Sequence, residues 1–213
     1  MIGLIGKKLG MTQVFAPDGT LIPVTIIQTG PCVVVQKKTV SKDGYDALQL
    51  GFGKKKPQRA KKPLLGHCKA AGQGPFSVLR EFHVEDIDGY EVGREITAAQ
   101  VFQAGERIDV VGRTKGRGYA GVMKRHGMSG FPGSHGTHEY FRHGGSIGNR
   151  SYPGRIFKGK RMAGQYGDAQ MTALQLRVVE VKSEHHLLLV QGAIPGARGG
   201  IVLVRKSSAK AAK

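Results

Sequence analysis

The sequence is short of acid. It sets 15 aspartates and glutamates against 33 lysines and arginines, a formal net charge of +18 over 213 residues. A field so unbalanced says little about fold, but it favours a polyanionic partner. Tryptophan is absent, and cysteine occurs only at Cys32 and Cys68. Two cysteines without C-x-x-C spacing cannot build a disulfide framework, and they fit a reducing, cytoplasmic compartment. Long hydrophobic runs are also missing. The opening "MIGLIGKKLGMTQVF" is broken by Lys7 and Lys8. It lacks the order of a secretory signal, and no stretch reaches the ~20 apolar residues of a membrane helix. A soluble protein with no membrane partner is expected.

What is present is unevenly placed. Residues 54–62, "KKKPQRAKK", carry six basic residues and no acid. Residues 113–167 carry eleven lysines and arginines against one acid, Glu139, and more than a third of the 33 glycines. That second segment has no leucine and only six residues of the Val, Ile and Phe types. It cannot bury enough apolar surface to offset its own ordering entropy. Yet it holds seven of the chain's fourteen tyrosines and phenylalanines. A plain basic linker has no use for aromatics at that density. Basic groups that meet phosphates, rings that stack on bases and glycines that admit close backbone approach suit a segment that orders against nucleic acid.

The flanks read as β-structure. "MTQVF", "LIPVTIIQ", "PCVVVQKKTV" and "ALQLGF" alternate with turns such as "APDGT" and "SKDGYD". "SVLREFHV", "RIDVVG", "MTALQLRVVEVK", "HHLLLVQG" and "GIVLVRK" follow, and "PLLGHCKAAG" and "REITAAQVF" are predicted short helices. Short strands with little room for crossover helices predict an antiparallel barrel or sandwich. Residues 1–112 and 168–205 then form one β-domain, residues 113–167 an excursion from it, and 206–213 a basic tail.

Enzymatic motifs fail one by one. Gly116, Gly118 and Gly121 fit the dinucleotide fingerprint G-x-G-x-x-G, and "RIDVV" supplies a preceding strand. The fingerprint also needs a helix opening at its third glycine and an acid at a second strand end. Glycine or proline recurs every few residues after Arg125, and Glu139 sits in a Gly/His stretch. "HGTH" has an H-x-x-H spacing, but a zinc site needs further ligands, and the nearest cysteine is far upstream. Glu81, Glu85, Asp86, Asp88, Glu91 and Glu95 read as a solvated turn and helix start, and nothing near Cys32 in its strand would activate it. No enzymatic activity, small-molecule substrate, metal or cofactor is expected.

Taken together, several stretches resemble the bacterial large-subunit ribosomal protein L-three family. They are "FQAGERIDVVGRTKGRGYAGVMKRHG", "SHGTHEYFRHGGSIG", "PGRIFKGKRMAGQYG", "HHLLLVQGAIPGA" and the opening "MIGLIGKKLGMTQVF". The resemblance implies a Greek-key β-barrel of the translation-protein type, a smaller α+β part and a long, irregular basic extension. It implies a cytoplasmic protein of the large ribosomal subunit that binds rRNA near its 3′ end and nucleates assembly. The extension would run toward the peptidyl-transferase centre, and proteins of the L-fourteen and L-nineteen families would pack alongside. Some relatives carry a methylated glutamine after G-S-I-G; here Asn149-Arg150-Ser151 stands there, so that modification is not expected.

The expected rRNA contacts follow from both lines of reasoning. Lys7, Lys8, Lys54, Lys55, Lys56, Arg59, Lys61 and Lys62 would meet phosphates from the β-domain. Arg113, Lys115, Arg117, Lys124, Arg125, Arg142, Arg150, Arg155, Lys158, Lys160 and Arg161 would do so from the extension. His126, His135, His138, His143, Tyr140 and Phe141 would hydrogen-bond or stack. Gly116, Gly118, Gly121, Gly144, Gly145 and Gly148 would let the backbone approach RNA.

Overall fold

The computed structural model describes residues 3–84 and 86–207. The chain divides into two compact units, Met1–Arg113 with Gln170–Lys213, and Thr114–Ala169. The first unit opens with strands β1 (Gly3–Phe15), β2 (Leu21–Thr29) and β3 (Cys32–Lys38). Helix α1 (Val40–Asp43), strand β4 (Ala47–Lys54), helix α2 (Lys62–Lys69) and strand β5 (Phe76–His83) follow. Strand β6 (Glu95–Ile96), helix α3 (Ala98–Val101) and strand β7 (Arg107–Arg113) lead to the excursion. The second unit holds β8 (Tyr119–Ala120), α4 (Val122–His126) and β9 (Gly164–Gln165). The chain returns to the first unit through β10 (Gln170–Lys182), β11 (Leu187–Gln191) and β12 (Ile201–Lys206).

Six strands close a barrel in the order β1-β12-β7-β10-β11-β2, with every pairing antiparallel. Strands β7, β10 and β11 run consecutively, and β12 returns to lie beside β7. That spatial order, fourth-first-second-third, is a Greek key. Closure gives each of the barrel's six strands two neighbours, so the barrel itself has no edge strand. The remaining strands of the first unit form a separate sheet, β5-β4-β3-β6, and β8 pairs with β9 in the second unit.

Period-two alternation decides which side chains fill the barrel. In β12, Val202 and Val204 are buried while Ile201 is exposed, and in β7, Ile108 and Val110 are buried. Leu4, Ile5, Ile27, Val178, Leu188 and Val190 complete a core that continues into Val34, Leu48 and Leu50 of the second sheet. Burying each such side chain contributes about 1.5–3 kcal/mol. Where β4 passes under the Phe76 ring, a Cβ on Gly51 would collide with the ring, so only glycine fits.

A buried acid accompanies one of the barrel's register shifts. The β7–β10 register shifts between Ala173 and Leu176, and Gln175 there has φ 54°. The displaced Gln175 N–H has no ladder partner and donates instead to Oδ1 of Asp109 at 3.0 Å. Asp109 is only 3% exposed, and Arg205 Nε lies 3.8 Å from its other oxygen.

Four sequence expectations change. The first strand begins at Gly3, well before "MTQVF", because β12 pairs with Gly3–Lys7 and β2 with the rest. The predicted helix in "REITAAQVF" is a two-residue strand followed by a single turn. Thr97 and Gln100 form a capping box that starts α3 only at Ala98, and Phe102 leaves in extended conformation to enter the core. The acidic stretch is accordingly no helix start: Glu81 lies in β5 and Glu95 in β6, while Glu85 lies outside the described residues. At the C-terminus, β12 extends through Lys206, whose ammonium lies 2.9 Å from Glu106; residues 208–213 of the expected basic tail are outside the described residues.

Candidate nucleic-acid interface

The second unit is held by backbone rather than by a core. Only Ala120 is buried between residues 114 and 169. A ribbon joins its two ends: Thr114 N–H donates to the Ala169 carbonyl at 2.9 Å, Arg117 N–H to Tyr166 at 2.8 Å, and Tyr166 N–H to Gly118 at 2.9 Å. The chains approach so closely here that a Cβ on Gly167, at φ 71°, would meet the Lys115 carbonyl. Gly116 faces Asp168 across the same ribbon, a Cβ there lying 3.5 Å from the aspartate Cβ. After Gly121, α4 runs for five residues and stops at Gly127 in left-handed conformation. So short a helix lacks the length of a dinucleotide-binding helix, and Glu139 lies in a 3-10 turn, His138–Arg142.

Six of the seven aromatics in this unit are exposed, Tyr119 at 80% and Tyr152 at 88%. Rings bare to water beside basic side chains can stack on planar partners that also carry negative charge. The Arg117 guanidinium lies 4.8 Å from the Tyr166 ring centroid, and that of Arg155 lies 5.9 Å from Phe157. Tyr140 and His143 meet edge to face with centroids 4.8 Å apart. Phe131 N–H donates to the Phe141 carbonyl at 2.9 Å, which pins the loop that carries them.

The expected contact residues divide by what their side chains already do. Lys54, Lys55, Lys56, Arg59, Lys61 and Lys62 are all exposed, displayed from the end of β4, a 3-10 turn at Pro57–Arg59 and the start of α2. Lys115, Lys124, Arg142, Arg150, Lys158, Lys160 and Arg161 are exposed as well, as are Lys7, Arg113, His135, His138, Tyr140, Phe141 and His143. Three others have internal work. Lys8 Nζ donates to the carbonyls of Ile194 at 2.8 Å and Gly196 at 3.1 Å. Arg125 Nη1 donates to Met162 O at 2.7 Å, and His126 Nε2 lies 3.0 Å from the same oxygen. Together they tie α4 to the returning chain. A Cβ on Gly164 would meet the Arg125 guanidinium at 2.6 Å, so that glycine makes room for the clamp. The glycines divide similarly. Gly118 and Gly121 face open space, whereas Gly144 lies against Val122 and Gly145 near Phe131. No sequence signal separates a clamp from a free cation when both are arginine in a basic run.

Burial pushes the Cys32 thiol up to about 12, and its Sγ is 3.4 Å from the Ile5 carbonyl. No group of three or more His, Cys, Asp or Glu among the described residues is disposed to hold a metal ion, and no helix of the described residues is long and apolar enough to cross a membrane.

Known proteins share this sequence closely. The family described as Ribosomal protein L3 matches residues 83–213. A large ribosomal subunit protein uL3 from Syntrophotalea carbinolica is 54% identical over 205 residues, covering 96% of this chain and 97% of its own length. That of Thermotoga maritima is 53% identical over 210 residues, covering 99% and 98%. The protein of the same name from Syntrophobacter fumaroxidans is 51% identical over 205 residues. With a barrel, a basic excursion and this degree of identity along its whole length, the chain belongs to the ribosomal protein L3 family.

Proposed function

We propose that the protein is a structural constituent of the large ribosomal subunit that binds rRNA mainly through residues 113–167. The observation that carries this reading is the pairing, in one coreless unit, 114–169, of exposed rings with a net +8 charge (ten basic residues, two acids). The unit lacks the apolar interior that would order it alone, and RNA supplies the missing surface. Lysines and arginines neutralise phosphates and fix position, while rings stack on unpaired bases. The chain outside 54–62 and 113–167 carries only +2, so the barrel acts as the rigid body from which two basic segments engage RNA. Family resemblance extends the reading to binding near the rRNA 3′ end, early assembly, an extension toward the peptidyl-transferase centre and neighbours of the L-fourteen and L-nineteen families.

Sedimentation tests it. An integral constituent stays with large subunits through washing in high salt; release of the protein into the supernatant would identify a transient RNA chaperone instead.

A further inference from the structure

The loop between Phe131 and Gly145 encloses an open concavity of about 530 Å³, lined by Phe131, His135, Thr137, Tyr140, His143 and Gly145. That volume lies within the roughly 300–1,000 Å³ of small-molecule sites. Its walls are rings, and its polar groups are few. Thr137 Oγ1 donates to the Ser134 carbonyl at 2.9 Å, which leaves the hydroxyl's lone pairs to accept from a ligand N–H. The edge-to-face contact of Tyr140 with His143 holds both rings in place.

The backbone supplies a second, independent observation. His135 has φ 59° and His138 φ 49°, on either side of Gly136 at φ 82°. The left-handed region costs a side-chain-bearing residue about 1–2 kcal/mol relative to glycine. In a segment already rich in glycine, imidazoles held at that cost point to a use for the rings. His135 lines the concavity.

We propose that this concavity receives one unstacked nucleobase of the rRNA. This inference rests on the reading of the unit as RNA-binding. Aromatic walls take the base's faces, and His135 and Thr137 meet its hydrogen-bonding edge. Arg142, exposed and next to His143 in sequence, would meet the attached phosphate. A base on a flexible strand fits the open mouth, and RNA recognition targets such splayed bases.

The test uses the full chain bound to a transcript of large-subunit rRNA, with affinity measured against salt and bases probed by dimethyl sulfate. Wild type is expected to protect a base that Tyr140→Ala, His143→Ala and His135→Gly each leave reactive. Tyr140→Ala should weaken binding roughly 5- to 150-fold, the equivalent of one base–aromatic stack at ~1–3 kcal/mol. None of the three should alter the salt slope, since no phosphate contact is lost. Tyr140→Phe, which keeps the ring, should retain protection, and His135→Gly relaxes the backbone, so misfolding does not explain its effect. Unchanged protection and affinity in all three variants would overturn the base site while leaving the RNA-binding unit intact. Wild type that fails to bind the transcript would overturn both.

Discussion

At the residue scale, Asp109 carries more of the fold than its place in a strand announces. Its carboxylate accepts the Gln175 N–H that the register shift in β10 would otherwise strand. Asp109→Ala leaves that donor unmet and should cost about 1–3 kcal/mol, the penalty of an unsatisfied half-buried group, read as a lower urea midpoint at unchanged slope. Cys32 gives a prediction in pH. The folded thiol keeps its proton to about 12, whereas an unperturbed one loses it at 9.0. Its contribution to stability is therefore whole below pH 9 and is lost as pH rises toward 12, by up to ~1.4 kcal/mol per unit. Unfolding of wild type and Cys32→Ala at pH 8 and pH 10.5 should show their stability difference shrinking at the higher pH. A thiol reagent at pH 8 should leave Cys32 unmodified until denaturant is added. The sequence marks Asp109 only as one polar letter in an apolar run. It likewise gives Lys8 and Arg125 the look of free cations, because their partners, carbonyls of Ile194, Gly196 and Met162, are main-chain atoms brought near by topology.

At the scale of elements, most strands are legible because alternation and turn residues are local signals. Strands β2, β4, β5, β7, β11 and β12 lie where apolar runs place them. What local signals miss are lengths fixed by partners. Gly3–Lys7 becomes a strand because β12 lies beside it, and α3 is one turn because Phe102 is drawn into the core. The excursion is legible as coreless from its lack of leucine, but its ribbon and its α4 clamp depend on contacts with main-chain atoms 36 to 55 positions away in the chain. Arg113 and Gln170 are paired partners where the excursion leaves and rejoins, so a tight turn can close β7 onto β10. A variant with residues 114–169 replaced by such a turn should keep a cooperative unfolding transition, followed by circular dichroism. Loss of that transition would place the excursion within the folding unit. The concavity around Tyr140 lies at the far end of legibility: nothing in "SHGTHEYFRHGG" declares which histidines adopt positive φ.

At the scale of the whole molecule, charge distribution and structure divide the labour. The barrel supplies a closed, paired and nearly neutral body, while 54–62 and 113–167 hold +16 of the +18. The composition of 113–167 points to a polyanionic partner, since an acid-poor, coreless segment cannot offset its own charge. The central claim is that the excursion binds rRNA by neutralising phosphates, and a salt titration tests it most directly. Affinity for large-subunit rRNA should be measured across salt concentrations for the full chain and for the variant lacking 114–169. The full chain should lose affinity steeply with salt. Removing the excursion should lower that slope by at least ~3, the mark of four or more lost phosphate contacts at about 0.7–0.9 each. Equal slopes and equal affinities for the two proteins would contradict the account.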